Sequence, residues 1–520
     1  MSPPFRTMDD PLATEADTLR RNAALRPDHL ALLFGDRRTD YATLDLRSNA
    51  VANGLLARGR AGQQRIALLT RNNDWFFEIL FGSAKAGHVA LPVNWRLAPR
   101  EIAHILRDAG ATCLFIGPDF ADTVPTLRAL GVPLPQVIVL DDAGYVTWRD
   151  SQQTADPLID VSPDDIFIQL YTSGTTGHPK GVQISHRASL AMRRIEVSTG
   201  GLWTDWSAAD VAIVAMPNFH VGGTSWALQW LARGATCVVQ AQVDPREMLE
   251  AIGSQGVTQL FAVPTVLGMM LDDESCTARN FSGLKYIHYG AAPIDPDLLL
   301  RCMDRFGCGF IQYFGMTETN GVVSVLEPHD HDLARPHLLK SVGKPYPALN
   351  LKILDASGEP LPANTVGEVC VRTPALMTGY WQNPDATALS RHGEYYRTGD
   401  GGYLDGQGYL FLVDRIKDMI VSGGENVYPI EVERALMEHP QVADVAVIGV
   451  PDARWGEAVV ALVVAAGEAP APAELIGFAR DRVAGFKVPK SIEFLDALPR
   501  NAAGKVLKRD LRETYKGSAA

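Results

Sequence analysis

The sequence predicts an α/β protein, with a large N-terminal domain followed by a small α+β domain at the C-terminus. Short apolar runs alternate with stretches whose apolar residues recur at helical spacing, the pattern of strands and helices taken in turn. Several of those runs pass straight into loops rich in Gly, Pro, Ser and Thr. At 520 residues the chain also exceeds what one hydrophobic core usually serves, so a second domain is expected.

Buried strands are predicted at residues 65–70 (RIALLT), 111–116 (ATCLFI), 136–140 (QVIVL), 165–170 (DIFIQL), 211–216 (VAIVAM), 259–263 (QLFAV), 284–289 (LKYIHY) and 309–314 (GFIQYF). Amphipathic helices are expected between them, as at 74–86 and 99–109. Four strands lead into Gly-, Pro-, Ser- or Thr-rich loops at 172–180, 217–223, 290–293 and 315–319. Ligands of open α/β sheets collect at the carboxyl ends of strands, so these loops are candidates to meet at one site. The stretch 401–413 is Gly-rich and reads as hairpins, and a boundary is placed near 414–418 (DRIKD). The remainder, about a hundred residues, has the size of a small domain. A helix at 431–438, strands at 443–450 and 458–465, a helix at 473–484 and a basic helix after Gly504 are expected there.

Hydrophobic residues make up 46% and charged residues 21%, ordinary values for a soluble globular protein. The net charge of −12 argues against general nucleic-acid binding, which needs a positive field. A small anionic ligand stays open, because local donors override the global sign. Cys113, Cys237, Cys276, Cys302, Cys308 and Cys370 are scattered without a CxxC pair, which fits a reducing compartment better than a disulfide framework or a zinc site. The N-terminus carries Asp9, Asp10, Glu15 and Asp17 and no apolar stretch long enough for a secretory signal. No run approaches the length of a membrane-spanning helix, and the C-terminal KGSAA matches neither a peroxisomal nor a prenylation signal. A cytoplasmic enzyme is the simplest placement.

The segment richest in chemistry is 171–182, YTSGTTGHPKGV. Glycines let backbone amides turn toward an anion, hydroxyls add donors, and Lys180 adds a point charge. It is not a Walker A loop, since GxxxxGK[ST] is absent. A flexible linker has a similar composition, but the strand before it and the embedded lysine favour polyphosphate binding.

This segment resembles the phosphate-binding loop of the adenylate-forming superfamily, which includes acyl-CoA synthetases, peptide-synthetase adenylation domains and beetle luciferases. The resemblance continues in order through 217–223 (PNFHVGG), 290–293 (GAAP), 314–319 (FGMTET), 396–400 (YRTGD), 414–429 (DRIKDMIVSGGENVYP) and 501–506 (NAAGKV), covering most of the chain. It implies stacked sheets with helices in residues 1–416, which bind ATP and the acid, and a mobile catalytic lid in 417–520. Thr172, Ser173, Gly174, Thr175, Thr176, Gly177 and Lys180 are then the phosphate loop. Gly290, Ala291, Ala292, Pro293, Phe314, Gly315 and Met316 lie at the nucleotide, with Phe314 against the adenine. Many family members carry Tyr where Phe314 stands; phenylalanine still stacks but brings no hydroxyl to the base.

Physical chemistry supports several of these roles. Thr317 is a hydroxyl donor beside Glu318, a hard oxygen ligand, a pairing that suits a phosphate and its Mg²⁺. The resemblance implies Thr317 at the α-phosphate and Glu318 at the metal. Asp400, a short carboxylate in a glycine-flanked turn, is suited to accept two ribose hydroxyls, and Arg415 resembles the second ribose contact. Attack of a carboxylate on the ATP α-phosphate brings two anions together, so a positioned cation stabilises the transition state; Lys505 matches the family's lysine for that work. The resemblance makes Lys417 the hinge about which the lid turns. Ser422, Gly423, Gly424 and Glu425 then line a pantetheine tunnel, and His220 gates between the acyl pocket and that tunnel.

The acyl pocket is expected around Trp226, Met269, His288, Tyr289, Tyr313 and Val322, with Met270 and Val323 nearby; both methionines read equally well as core filler. His288 or Tyr289 is placed to meet a ring hydroxyl. No Asp stands near 219–221 to bind an α-amine, and no carrier motif follows the final helix. Free coenzyme A is therefore the expected acceptor, with ATP and Mg²⁺ as the other cofactors and a fatty or aromatic carboxylic acid as substrate. A separate carrier protein as acceptor, and a non-catalytic nucleotide-binding homologue, are the alternatives. The resemblance leaves a homodimer open.

Overall fold

A computed structural model of the chain describes residues 12–57, 59, 62–172, 179–199, 206–415, 418–422, 425–452, 455–500 and 506–515. Contacts divide the chain into two units, Met1–Asn350 with Arg372–Arg391, and Leu351–Val371 with His392–Ala520. The boundary expected at 416/417 thus falls inside the second unit rather than between the two.

Among the described residues, the first unit carries two sheets flanked by helices. In one, the strands Gly309–Phe314, Tyr286–Gly290, Gln259–Ala262, Val211–Val214, Thr236–Val239 and Leu30–Phe34 run parallel in that spatial order. Antiparallel strands close both edges, Ser324–Leu326 and Lys344–Pro345 at one and Arg37–Asp40 at the other. The second sheet orders Gly379–Tyr380, Lys180–Ser185, Ile166–Thr172, Val89–Pro92, Arg65–Leu69, Ala111–Ile116 and Val137–Val139. Every strand predicted from an apolar run is present, most shifted by one or two residues at an end.

Helix limits follow local chemistry. Pro99–Ala109 starts with proline at its first turn, and the Glu101 carboxylate accepts the Ala98 N–H at 2.8 Å. Its Ile102, Ala103, Ile105, Leu106 and Ala109 face a core that also buries Leu69, Leu91 and Leu114. Pro296–Phe306 is capped by Asp295, whose carboxylate accepts the N–H groups of Asp297 and Leu298. Its inner face joins a core built on Ile213, Leu260, Ile287 and Phe310.

The second unit holds two further sheets. The long strand Tyr395–Leu404 pairs antiparallel with Leu410–Arg415, the hairpin expected from its glycines, and with Gly367–Arg372. In the other sheet Gly456–Ala465 is the common partner of Val442–Asp452, Ile420–Ser422 and Ser491–Phe494, with helices Pro429–Met437, Pro472–Arg480 and Lys508–Tyr515 packed on it. Among the described residues no helix is long and apolar enough to cross a membrane.

Candidate active site

Three of the four Gly-rich loops leave the same end of one parallel sheet. The strands Gly309–Phe314, Tyr286–Gly290 and Val211–Val214 deliver the loops at 315–319, 290–293 and 217–223, with Gln259–Ala262 between the last two strands. Two glycines are required by close approach: a Cβ at Gly290 would stand 2.4 Å from the Tyr313 carbonyl oxygen, and one at Gly315 would stand 2.2 Å from that of Gly321. Ala291 takes a left-handed conformation with φ of 64°, strained for a residue with a Cβ, and it is exposed together with Ala292 and Pro293. Thr317–Thr319 forms a single tight turn after Met316, leaving Phe314, Thr317 and Glu318 half-buried.

The fourth loop comes from the other sheet. Ile166–Thr172 and Lys180–Ser185 are an antiparallel pair with Thr172 opposite Lys180. Ser173, Gly174, Thr175, Thr176 and Gly177 lie outside the described residues. Tyr380 joins this strand pair to the metal-ligand candidate. Its hydroxyl donates to Glu318 Oε1 at 2.9 Å, and the Lys180 ammonium sits 5.1 Å from its ring centroid. The phosphate lysine and the carboxylate, far apart in sequence, thus share one tyrosine. The donor set fits the ion expected. No cluster of three metal-ligating side chains occurs among the described residues, and Mg²⁺ characteristically takes one or two carboxylates with phosphate oxygens and water rather than a protein cage.

Beside these loops runs an aromatic wall. The His288 ring lies 4.7 Å from Trp226, 5.4 Å from Trp206, 6.2 Å from Tyr286 and 5.7 Å from Tyr313, on which it stacks. Val322 and Tyr313 continue the wall against Ile195, Ile311, Val325 and Tyr346. A polar ladder crosses the sheet behind it. Buried Asp210 accepts from Thr258 Oγ1 at 2.7 Å and Gln259 Nε2 at 3.2 Å, and pairs with Lys285 at 2.9 Å. Gln259 therefore presents its oxygen to His288 Nε2, 3.0 Å away, so that nitrogen carries the proton. His288 Nδ1 is left to accept from the Tyr313 hydroxyl at 3.2 Å. Burial, aided by the Arg233 charge, pushes His288 down to about 3, so the ring is neutral near pH 7.

Two expected pocket residues do not join this wall. Neighbours on a strand point to opposite faces, and Tyr289 lies on the helix-covered side with Ile287 and Phe310, its hydroxyl 3.0 Å from His331 Nε2. Met269 is 56% exposed on its helix, while Met270 fills the core on that same side. Trp206, Tyr286, Gln259 and Tyr380 were missed by sequence reasoning. Gln259, a polar residue opening an apolar strand, was the one available signal among them.

His220 begins the helix Val221–Arg233, its ring 4.5 Å from Phe219. Its Nε2 is buried with no hydrogen-bond partner among the described residues, and burial plus the Arg96 charge lowers its pKa to about 4. In the second unit Asp400 stands directly opposite Arg415 across the hairpin, and its N–H donates to Thr398 Oγ1 at 3.0 Å. Buried Ser422 pairs in register with Glu425 in the next hairpin. Lys417, Gly423, Gly424 and Lys505 lie outside the described residues.

A family model described as AMP-binding enzyme matches residues 19–381, and one described as AMP-binding enzyme C-terminal domain matches 431–505. The chain belongs to the AMP-binding enzyme family. Among its relatives, a fatty acid–[acyl-carrier-protein] ligase, ScoC, from Streptomyces coeruleorubidus is 41% identical, the match covering 98% of each chain. A feruloyl-CoA synthase from an Amycolatopsis species is 38% identical over 95% of this chain and 98% of its own. The crystal structure of ATP-bound MatB from Rhodopseudomonas palustris superposes with a TM-score of 0.87 at 30% identity, covering 97% of this chain and 100% of that one. This AMP-binding enzyme is an AMP-forming acid–thiol ligase, with a mixed α/β N-terminal part and a smaller C-terminal domain.

Proposed function

We propose that this AMP-binding enzyme is a cytoplasmic acid–CoA ligase acting on an aromatic or fatty carboxylic acid, with the aryl acid favoured. The observation that carries the reading is Tyr380 joining Lys180 to Glu318, in the same unit as the aromatic cluster of Trp206, Trp226, Tyr286, His288 and Tyr313. One unit thus supplies both groups suited to polyphosphate and an aromatic cluster suited to a flat apolar acid.

In the first step a substrate carboxylate oxygen attacks the ATP α-phosphorus, and the bond to pyrophosphate breaks. Thr172, the loop 173–177 and Lys180 hold the leaving phosphates; Thr317 meets the α-phosphate; Glu318 holds Mg²⁺, which would neutralise phosphate charge when bound. Phe314, with Gly290, Ala291, Ala292 and Pro293, lies at the adenine, and Asp400 and Arg415 hold the ribose. Lys505 supplies positive charge where the carboxylate and phosphate meet. In the second step the coenzyme A sulfur attacks the acyl carbon and AMP leaves. In this step Lys505 is not required, Lys417 serves as the hinge residue, and Ser422, Gly423, Gly424 and Glu425 serve the thiol path, with His220 as its gate. A neutral His220 suits a gate, which need carry no charge.

A second acceptor is favoured by one finding: the 41%-identical relative is a ligase for an acyl-carrier protein. Mass spectrometry of products from ATP, aryl or fatty acids, and either CoA or a phosphopantetheinylated carrier protein decides between them. Acyl-CoA formed faster than acyl-carrier protein supports the reading. Acyl-carrier protein alone replaces CoA by the carrier, and no thioester with either overturns both.

A further inference from the structure

The segment Arg372–Arg391 is contributed to the first unit from between stretches of the second. There it ties together two parts of the site. Gly379–Tyr380 adds an edge strand to Lys180–Ser185, with Tyr380 opposite Val182. Thr378 N–H donates to Gln183 O at 2.8 Å and Trp381 N–H to Gly181 O at 2.7 Å, while Met377 N–H reaches Glu318 O at 2.8 Å. Trp381 is fixed in turn, its Nε1 donating to Asp108 O at 2.8 Å and its ring lying 3.6 Å beneath the Arg65 guanidinium. The Tyr380 backbone N–H donates to Thr387 Oγ1 at 2.9 Å. The backbone that carries the tyrosine is therefore clamped on both sides in sequence.

What it separates matters. Lys180 and Glu318 carry opposite charges and meet different parts of one tyrosine, the cation the face of its ring and the carboxylate its hydroxyl. Among the described residues the two charges do not pair with each other. A direct ion pair would neutralise the lysine that meets phosphate and occupy the carboxylate that meets the metal. The ring gives the ammonium a weak seat, which a phosphate readily outcompetes. The hydroxyl binds one carboxylate oxygen and leaves the other to a cation. We propose that Tyr380 is a positioning residue that holds Lys180 and Glu318 apart and oriented, so that both meet the metal–nucleotide complex uncompensated by each other. This rests on the reading of Glu318 as the metal carboxylate.

The test measures binding of Mn²⁺·AMPCPP, a non-cleavable ATP analogue, to the full chain by electron paramagnetic resonance, for wild type, Tyr380→Phe, Tyr380→Leu and Glu318→Gln. Loss of a group that orients a metal ligand typically costs about tenfold or more in metal affinity. Tyr380→Phe, which keeps the ring, is expected to weaken Mn²⁺ binding about tenfold while affinity for metal-free AMPCPP, followed by isothermal titration calorimetry, shifts little. Tyr380→Leu, which frees the charges to pair, is expected to weaken both. In each variant the KM for the acid should stay within about twofold, a split that general damage to the fold would not produce. If Glu318→Gln weakens Mn²⁺ binding but neither Tyr380 variant does, the positioning role is overturned and the metal reading stands. If Glu318→Gln changes nothing, the metal reading fails and the inference falls with it. Equal loss of metal, nucleotide and acid affinity in the Tyr380 variants also overturns the inference.

Discussion

The hydroxyl of Tyr313 is oriented by a carboxylate at the start of another strand. Asp210 fixes the Gln259 amide, Gln259 fixes the His288 tautomer, and His288 accepts from the Tyr313 hydroxyl. The tyrosine hydroxyl thereby donates to His288, and its oxygen keeps acceptor capacity, the kind of group that a ring hydroxyl or amine would meet. Tyr313→Phe is expected to lower kcat/KM for a ring-hydroxylated aryl acid by about tenfold against its unsubstituted parent, as measured by competing the two acids; equal losses would remove Tyr313 from selectivity. Lys505→Ala should slow adenylate formation by about a hundredfold or more, while thioester formation from preformed acyl-adenylate keeps most of its rate. Equal losses in the two half-reactions would contradict its role. Residues of this kind were legible to different degrees. Lys180, Thr317 and Glu318 stood out because Gly- and Thr-rich loops follow their strands. Not legible was that strand alternation puts Tyr289 on the far face from His288, and that its helix turns Met269 to solvent.

At the scale of elements, the carboxyl ends of parallel strands in one sheet deliver three of the four candidate loops. The approach of Gly290 to the Tyr313 carbonyl shows how tightly the two loops are packed. Gly290→Ala would force a Cβ into a backbone oxygen and push the loops apart. A loss of about 1–3 kcal/mol in chemical denaturation is expected, with a larger relative loss of nucleotide affinity. Unchanged stability would mean that the loops have slack. The parallel strands were legible because they are continuous apolar runs bounded by glycine. The pairing of Gly379–Tyr380 was not, since a two-residue strand has no period of its own and its partner is chosen by tertiary packing. The same reason hid the place of residues 372–391 in the first unit.

For the whole molecule, buried neutral histidines set the response to acid. Burial lowers His186, His220 and His331 to about 4 and His288 to about 3, against an ordinary value near 6.5. Between pH 6.5 and about 4 the unfolded chain binds protons that the folded chain refuses, so stability falls as pH drops through that window. Thermal melts should show Tm declining from about pH 6.5 downward, before most carboxylates titrate, and His331→Gln should flatten part of that slope. A flat profile between pH 6.5 and 5 would contradict it. Two-domain α/β architecture was readable from the order of motifs. The grouping of Leu351–Val371 with the second unit was not, because sheet partners of the Tyr395–Leu404 hairpin come from well upstream. Every step proposed for this enzyme depends on adenylate formation, and acid-dependent exchange of labelled pyrophosphate into ATP, without any thiol, isolates that step. Exchange is expected with Mg²⁺ and an aryl or fatty acid, and should vanish when the acid is omitted. ATP binding with no exchange for any acid of a broad panel, or cleavage to ADP and phosphate instead, would contradict adenylate formation.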